Sequence, residues 1–507
     1  MNTFSGATPV LQPAPRPGRQ NSPTAKSALR TQPLPLPLAP CLSLLVALLS
    51  TFARAASGED ASARLKSVVT TNYVVTTNIV VVTNLVVSTN TVLATGAAAE
   101  PEPFGVLWWK EGLNYRLIHQ IELGRTNQNG VPMVNEQLSM SGRFGIKGAF
   151  DAAAFASTRG QDPVANAGEV RTARFYTTGD FTWRFPTYFK LELGAVSQSF
   201  YLHEAYLRFK EVPWIKNLTI GYIGAPLTME NLMAFGDLTF MEAAAPAQAF
   251  GPGNRTALQV DGNWLDERMS YQAGFYGTGL DPSFNFGDAS QELARGMVRV
   301  TALPFYEDKE EDFRLLHLGA AVSYVFSDSS DIRYQARPES HLAPFLVDTG
   351  DVHAQNATQL GLEAAYVRGP YSLQAEVTGS WISDATTGTR TEGRTFWGAY
   401  VAGSWFLTGE HRVYDKSGGV FGRLAPRESL DLSGSHWGAL EVGTRLSYLT
   451  LNDGPIRGGR MFEFMPGLNW YWSKHVRLQA NYGWARVQEG PHPGDLHLFQ
   501  TRLQVFY

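Results

Sequence analysis

The sequence predicts an all-β chain: a transmembrane antiparallel β-barrel of about sixteen strands, preceded by a β-rich, low-complexity N-terminal segment. Three observations carry that expectation. Apolar and polar residues alternate with a period of two in segment after segment up to the C terminus, with no clear helical segment between them. The connections alternate between short ones, such as Arg368-Gly369-Pro370 and Ser473-Lys474-His475, and long ones, such as Gly224 to Asn254 and Ser327 to Asn356. Aromatic residues collect at segment ends: Trp183 with Phe185, Trp405 with Phe406, Trp470 with Tyr471 and Trp472, and Phe506 with Tyr507. Amphipathic rings suit the two headgroup levels of a bilayer, and short turns alternating with long loops are how such barrels are built. A soluble Greek-key or propeller protein also shows strands and turns; the loop rhythm and the aromatic ends favour the barrel.

Residues 1–55 read as an export signal. The one continuous apolar run, Leu42 to Phe52, is too short for a spanning helix, which needs about 20 residues. It follows Arg16, Arg19, Lys26 and Arg30 and precedes Ala53-Arg54-Ala55, an A-x-A cleavage pattern. The long stretch ahead of the apolar run fits a start codon further in. The single cysteine, Cys41, lies at the edge of this segment, and the Pro40 before it and the apolar run after it argue against a lipid anchor there. A mature chain without cysteine fits an exported protein that does not rely on disulfides. Export removes five basic residues and no acidic one, taking the formal net charge from −4 to −9, and nothing here suggests a nucleic-acid partner.

Residues 56–103 form a low-complexity spacer. Asn72, Asn78, Asn84 and Asn90 recur at one spacing, each preceded by a threonine (Thr71, Thr77, Thr83, Thr89) and followed by one variable residue and a valine. The spacing is a multiple of two and the β-branched content favours extended backbone, so the repeat reads as a strand-forming stalk on the periplasmic side that links subunits. A threonine-rich linker without fixed structure is the alternative. Ala97 to Pro103 then serves as a joint.

Length alone suggests about three domains, but no composition break after residue 104 offers a linker, so residues 104–507 read as one β domain. Leu138 to Asp151 sets Leu138, Met140, Phe144, Ile146 and Phe150 against Ser139, Ser141, Arg143, Lys147 and Asp151. Ala173 to Phe181 carries Arg174 and Tyr176 on its polar face. After Pro186, the residues Phe189, Leu191, Leu193 and Ala195 oppose Lys190 and Glu192. His203 to Lys210 sets Ala205, Leu207 and Phe209 outward and Glu204, Tyr206, Arg208 and Lys210 inward. Further segments begin near Leu218, Arg255, Met269, Arg295, Leu315, Thr358, Tyr371, Thr395, Trp437 and Met461. The last two are Val476 to Trp484, with Arg477, Gln479 and Asn481 on its polar face, and the final run through Phe499, Thr501, Leu503, Val505 and Tyr507, opposed by Gln500, Arg502 and Gln504. Closing such a sheet satisfies every backbone amide in lipid, and at about sixteen strands the interior is too wide for side chains to fill, so it holds water. A channel is the expected outcome.

From Pro226 onward the chain carries longer motifs: P-L-T-M-E-N-L (Pro226 to Leu232), D-L-T-F-M-E (Asp237 to Glu242), A-F-G-P-G-N-R (Ala249 to Arg255) and R-P-E-S-H-L-A-P-F-L-V-D-T-G (Arg337 to Gly350). L-G-L-E-A-A-Y-V-R-G-P-Y-S-L-Q (Leu360 to Gln374), F-L-T-G-E-H-R-V-Y-D (Phe406 to Asp415) and G-L-N-W-Y-W (Gly467 to Trp472) follow in order. Together they resemble the phosphate- and polyphosphate-selective porins, the O/P porin family, over residues 104–507. The resemblance implies a homotrimer of sixteen-stranded barrels in the outer-membrane lipid, inward-folded loops that narrow each pore, and a path for phosphate lined by arginines and lysine. Gly224–Asn254 and Ser327–Asn356 are the candidate constriction loops. Thr408–Ser435 falls on the side where turns should be short, and the family has an inward-folded turn of this sort. Where relatives often show two basic residues after the Pro-Gly turn, this chain has Asn254 and Arg255.

Fixed positive charge facing a lumen attracts anions and replaces part of their hydration shell, and the planar fork of arginine suits phosphate oxygens. By strand alternation the inward cations are Arg143, Lys147, Arg174, Lys190, Arg208, Lys210, Arg255, Arg299, Arg445, Arg477 and Arg502, and Arg333 and Arg337 lie on a long loop near the mouth. Inward carboxylates stand against them: Asp151, Glu192, Glu204, Asp261, Glu363, Glu376 and Glu441. The basic excess is modest, so a preference for small anions such as phosphate and chloride is expected alongside an unselective porin and a loop-closed structural anchor. H-E-x-x-H, G-x-S-x-G and a phosphate-cradling glycine loop are missing, which argues against an enzyme, a barrel lipase included; no cofactor or metal is expected. His203 and His341 read as hydrogen-bonded loop histidines and the run Glu307 to Asp312 as a solvated face.

Overall fold

The computed structural model describes residues 113–126, 132–182, 186–196, 199–277, 294–309, 312–387, 390–431 and 433–507. The expected export signal, the repeat spacer and the Trp183–Phe185 pair lie outside them. The first strands are β1 (Leu113–Thr126), β2 (Pro132–Thr158), β3 (Ala167–Thr182), β4 (Pro186–Val196) and β5 (Ser199–Val212). They are followed by β6 (Lys216–Gly224), β7 (Asn254–Trp264), β8 (Met269–Tyr276), β9 (Ala294–Glu307) and β10 (Arg314–Ile332). A short pair, β11 (Gln335–Ala336) and β12 (Val347–Asp348), precedes β13 (Val352–Arg368), β14 (Tyr371–Thr387) and β15 (Arg390–Phe406). A second short pair, β16 (Tyr414–Asp415) and β17 (Val420–Phe421), precedes β18 (Ala439–Asp453), β19 (Ile456–Tyr471), β20 (Val476–Gln488) and β21 (Gly494–Phe506).

All pairings in the large sheet are between antiparallel strands, and the ring closes on β2. One edge of β2 pairs with β3, while the other pairs with β21 from Lys147↔Phe506 to Thr158↔Asp495. β1 follows the same edge of β2 from Leu113↔Phe144 to Thr126↔Pro132, beyond the point where β21 stops. β1 is therefore an extension outside the ring, the one strand of the large sheet that the sequence did not single out, and the closed barrel has 16 strands. Closure leaves no free edge in lipid.

Alternation then sorts the side chains. Along β13 buried and exposed positions alternate almost without interruption, and outward apolar residues such as Phe150, Phe175, Leu207, Leu258, Phe275, Leu362, Val377 and Phe499 are exposed. Aromatic residues form two belts. Trp214, Trp264, Tyr371, Trp405 and Trp437 are exposed along the rim that carries the C terminus, and Phe200, Phe275, Tyr324, Trp381 and Trp397 lie towards the opposite rim. The β13–β14 turn needs only Gly369 and Pro370, with Gly369 at φ 51°, where a side chain would be strained.

The buried core sits inside the barrel, on one side of it. Three connections fold inward: residues 225–253, with helices α1 (Met229–Leu232) and α2 (Ala245–Phe250); residues 333–351, with β11 and β12; and residues 407–438, with β16 and β17. Leu227, Ala249 and Phe250 of the first meet Tyr334, Leu346 and Val347 of the second against Met297, Phe396, Leu449 and Met461 of the wall. Met229, Met233 and Leu238 meet Tyr414 and Phe421 of the third against Leu303, Leu315 and Val367. Wall glycines make room: a Cβ on Gly361 would lie 2.3 Å from the Leu227 carbonyl oxygen, and one on Gly398 would lie 2.8 Å from Cγ of Pro246. The awkward 407–438 connection does turn into the lumen, where its Gly418 and Gly419 carbonyls accept hydrogen bonds from Arg299.

Leu362 projects outward from mid-strand, so Leu362→Arg should lower folding stability in lipid by about 2–4 kcal/mol. The midpoint of denaturant unfolding from vesicles reads this out; an unchanged midpoint would mean that this face does not meet acyl chains.

Candidate functional site

With the inward connections packed against β9 to β21, open space remains beside β2 to β8. A solvent-connected cavity of about 450 Å³ lies there. Its wall side carries Lys147, Arg174, Lys190, Glu192, His203, Glu204, Tyr206 and Arg208, and its other side is the 225–253 connection from Glu230 to Phe235 with Leu238 and Gln248. Neighbouring strands bring these residues together because one register row faces inward: Lys147 pairs with Arg174, Tyr176 with Glu192, and Glu192 with Glu204.

The centre of the cluster is Glu192, whose side chain is fully buried. It accepts hydrogen bonds from Lys147 Nζ at 2.9 Å and Arg174 Nη1 at 3.3 Å, and Lys190 Nζ lies 3.2 Å away. Lys190 also grips Glu204. Three cations thus share two carboxylates, and all three remain partly open to the cavity. The Tyr176 ring lies under Lys147 at 5.1 Å and beside Arg143 at 6.0 Å, which keeps a further cation at the edge of the group. Arg208 is balanced: its Nη2 donates to Asp261 Oδ1 at 3.0 Å.

The other expected residues fall elsewhere. Lys210 pairs with Asp180 at 2.5 Å near the C-terminal rim. Arg255 points inward where the 225–253 connection rejoins the wall and donates through Nε to the Pro252 carbonyl at 2.9 Å. Arg333 holds Asp348 in the β11–β12 hairpin, and Arg337 donates to the carbonyls of His341 and Ala343 while lying 4.2 Å over the Phe345 ring. Arg299 and Arg445 face inward but line no open space. Arg299 is fully buried in a double hydrogen bond to Glu363, at 2.6 and 2.9 Å. Arg445 is fully buried against Glu339 (Nε to Oε2, 2.8 Å), Glu230 (3.0 Å) and the Glu242 carbonyl (2.9 Å). Both guanidiniums fasten inward connections to the wall; the strand pattern puts them in the lumen but cannot show what covers them. His341 is a hydrogen-bonded loop histidine, 2.6 Å from Glu169, whereas His203 stands on β5 and lines the cavity.

The fastening carboxylates carried by the inward connections were not singled out from the sequence, although all lie within its recognisable motifs: Glu230 in P-L-T-M-E-N-L, Glu242 in D-L-T-F-M-E, Glu339 in R-P-E-S. Glu242 bridges Arg171 (2.9 Å) and Arg502 (2.5 Å), and Arg502 also holds Asp151 at 2.6 Å. Burial alone would push the Glu242 carboxyl up, but Arg171 and Arg502 outweigh it and hold it well below the usual carboxylate range.

Comparison with known proteins follows the same lines. The family model described as phosphate-selective porin O and P matches residues 143–507. An uncharacterized protein of Caulobacter vibrioides is 30% identical over 304 residues, 58% of this chain and 58% of that one, so the chain spans less than two-thirds of that relative's length. Among solved structures, a loop L8 deletion mutant of the outer membrane protein OmpT of Vibrio cholerae aligns over 73% of this chain and 99% of its own, at 10% identity and a TM-score of 0.47. An anion-selective porin from Comamonas acidovorans aligns over 73% and 100%, at 11% identity and a TM-score of 0.45.

Arg445→Leu leaves Glu230 and Glu339 buried without their cation, at a cost of about 3–5 kcal/mol. The inward connections should loosen, read as a larger and noisier single-channel conductance and as new protease cleavage between residues 225 and 253. A carboxylate held down in the folded state stabilises above its ordinary value and loses that contribution only as pH falls through the depressed one. The Glu242 contribution should therefore survive acidification through about pH 4. Comparing the pH dependence of conductance in the natural chain and Glu242→Gln checks this.

Proposed function

The chain belongs to the phosphate-selective porin O and P family, and from that premise we propose that it forms an outer-membrane diffusion channel with a weak to moderate preference for small anions, phosphate or polyphosphate first among them and chloride beside them. The family is one of channels rather than enzymes. The observation that carries the preference is the group of Lys147, Arg174 and Lys190 around Glu192 on the open side of the lumen, three cations to two carboxylates. Conduction needs attraction strong enough to admit an ion and weak enough to release it. A modest net positive charge, with every cation already sharing a carboxylate, suits passage better than tight capture. We assign residues 1–55 to export and residues 56–103 to a periplasmic spacer, and take the assembly as a homotrimer.

One observation favours an unselective porin instead: Arg208 and Lys210 are each closed by an aspartate, so they add no net charge to the path. A structural anchor with a loop-closed pore draws support from the packing of three connections into the lumen.

The reversal potential of the purified protein in a planar bilayer, under a potassium chloride gradient and then with phosphate added, separates these readings. An anion-side potential with chloride current blocked by phosphate supports the phosphate path, and Lys147→Gln with Lys190→Gln should then move the potential towards zero. A potential near zero without block supports the unselective porin, and absence of conductance steps supports the anchor.

A further inference from the structure

We propose that the tip of the 225–253 connection covers a second oxyanion site, built by Arg412, Arg423 and Arg477, which Asp237 fills as a tethered carboxylate until a permeating phosphate-like oxyanion displaces it. This rests on the anion-channel reading and adds a gating step to it.

Three consecutive tip residues are each met by one arginine. Arg423 Nε faces Asp237 Oδ1 at 3.6 Å, Arg477 Nη1 donates to the Leu238 carbonyl at 3.0 Å, and Arg412 Nη1 donates to Thr239 Oγ1 at 2.7 Å. Consecutive Cα atoms lie about 3.8 Å apart, so the three guanidiniums converge on one short span. They come from two places: Arg412 and Arg423 from the 407–438 connection, Arg477 from β20. Each is also set against a ring: Arg412 4.0 Å over Phe421, Arg423 3.7 Å over Phe506 and Arg477 5.2 Å over Tyr471. Those contacts orient the guanidiniums without neutralising them.

The contrast with the fastening arginines carries the inference. Arg299, Arg445 and Arg502 each hold carboxylates by direct hydrogen bonds. At the tip, three cations have one carboxylate within ion-pair distance among the described residues, and it lies beyond hydrogen-bond reach. Arg412 and Arg477 are 7% and 4% exposed, yet the Nη2 of each finds no acceptor among the described residues, and neither does Nε2 of the fully buried Gln504, whose Oε1 accepts from Arg477. Asp237 Oδ1 is likewise without a donor. Glu441 near Tyr471 is already taken, accepting from Ser404, Asn469 and the Tyr471 hydroxyl. Buried donors without acceptors are costly. What satisfies several divergent cationic donors together is a compact group with several acceptor oxygens and more than one negative charge, which a phosphate supplies and a single carboxylate does not.

Access is in place. Ala234, Phe235 and Leu238 of the same tip line the open cavity together with Lys147 and Arg174, and Arg174 lies 5.1 Å over the Phe235 ring. An oxyanion leaving the Glu192 group meets the tip next. Burial pushes the Asp237 carboxyl up and the Arg423 guanidinium down, the direction expected of an ion pair that does not close.

The test is phosphate affinity, measured as block of chloride current in a planar bilayer and by calorimetry on the full-length protein in detergent, for the natural chain, Asp237→Asn, Arg477→Gln and Arg423→Gln. Asp237→Asn removes the competitor and keeps the shape, so phosphate should bind about tenfold more tightly; each arginine variant should weaken it by about tenfold or more. Arg423 is the more exposed of the two, so if Arg477→Gln fails to fold, as judged by heat-modifiable gel migration, Arg423→Gln carries the comparison. An anion-selective natural channel whose phosphate affinity is unchanged or weakened by Asp237→Asn would overturn the tip site and leave the channel reading standing. A natural channel without anion preference would overturn both.

Discussion

The architecture of the lumen depends on one buried contact, Arg445 of β18 with Glu339 and Glu230. Two connections that are far apart in sequence meet on one guanidinium, which also donates to the Glu242 carbonyl as a third partner. Burying such charges costs several kcal/mol per ion before their attraction is counted, so the arrangement adds little net stability and instead fixes position. A guanidinium with carboxylates on two sides admits few alternatives. Everything on the open side of the pore follows from where those connections are held.

The same logic repeats around the wall with different partners. Arg502 ties Glu242 and Asp151, Arg171 adds a second hold on Glu242, and Arg299 ties Glu363 and the Gly418 and Gly419 carbonyls of the 407–438 connection. Apolar packing fills the space between these points, with Phe250 against Tyr334 and Met229 against the group containing Tyr414 and Phe421. A barrel of this width does not fill itself with wall side chains. Here its own connections fill one side of it, and the open space lies on the other.

That division separates two kinds of inward cation that look identical along a strand. Arg299 is closed off by Glu363 two strands away and the Gly418 and Gly419 carbonyls, and Arg445 by Glu339 and Glu230 of two inward connections, whereas Lys147, Arg174 and Lys190 crowd around Glu192 on the side the connections leave free. The first kind decides where the pore runs. The second sets the field on the open side, and its small positive excess is what the proposed anion preference rests on. At the tip of the 225–253 connection the balance tilts again, with three guanidiniums around Asp237.

Strand alternation was enough to determine the barrel. A period of two sends Leu207 to lipid and Arg208 to the lumen whatever lies further away, and each of the sixteen expected segments has its strand, β13, β15 and β19 starting a few residues earlier than the pattern suggests because polar residues continue the ladder above the lipid. β1 shows the same alternation, with Leu113, Tyr115, Leu117, Ile121 and Leu123 against Asn114, Arg116, Gln120 and Glu122, but a period of two cannot say whether a strand lies in the ring or beside it. The motifs around Glu230, Glu242 and Glu339 marked the segments that matter in the lumen, but not what they bind: a carboxylate in a loop and a guanidinium on a strand carry no mark of their pairing when they lie, like Glu230 and Arg445, on opposite sides of the ring. Which face a residue takes is a local property of the backbone, and the sequence by itself settled it. Which inward charges stay open to an ion depends on where three connections come to rest, and only the closed tertiary structure decided that.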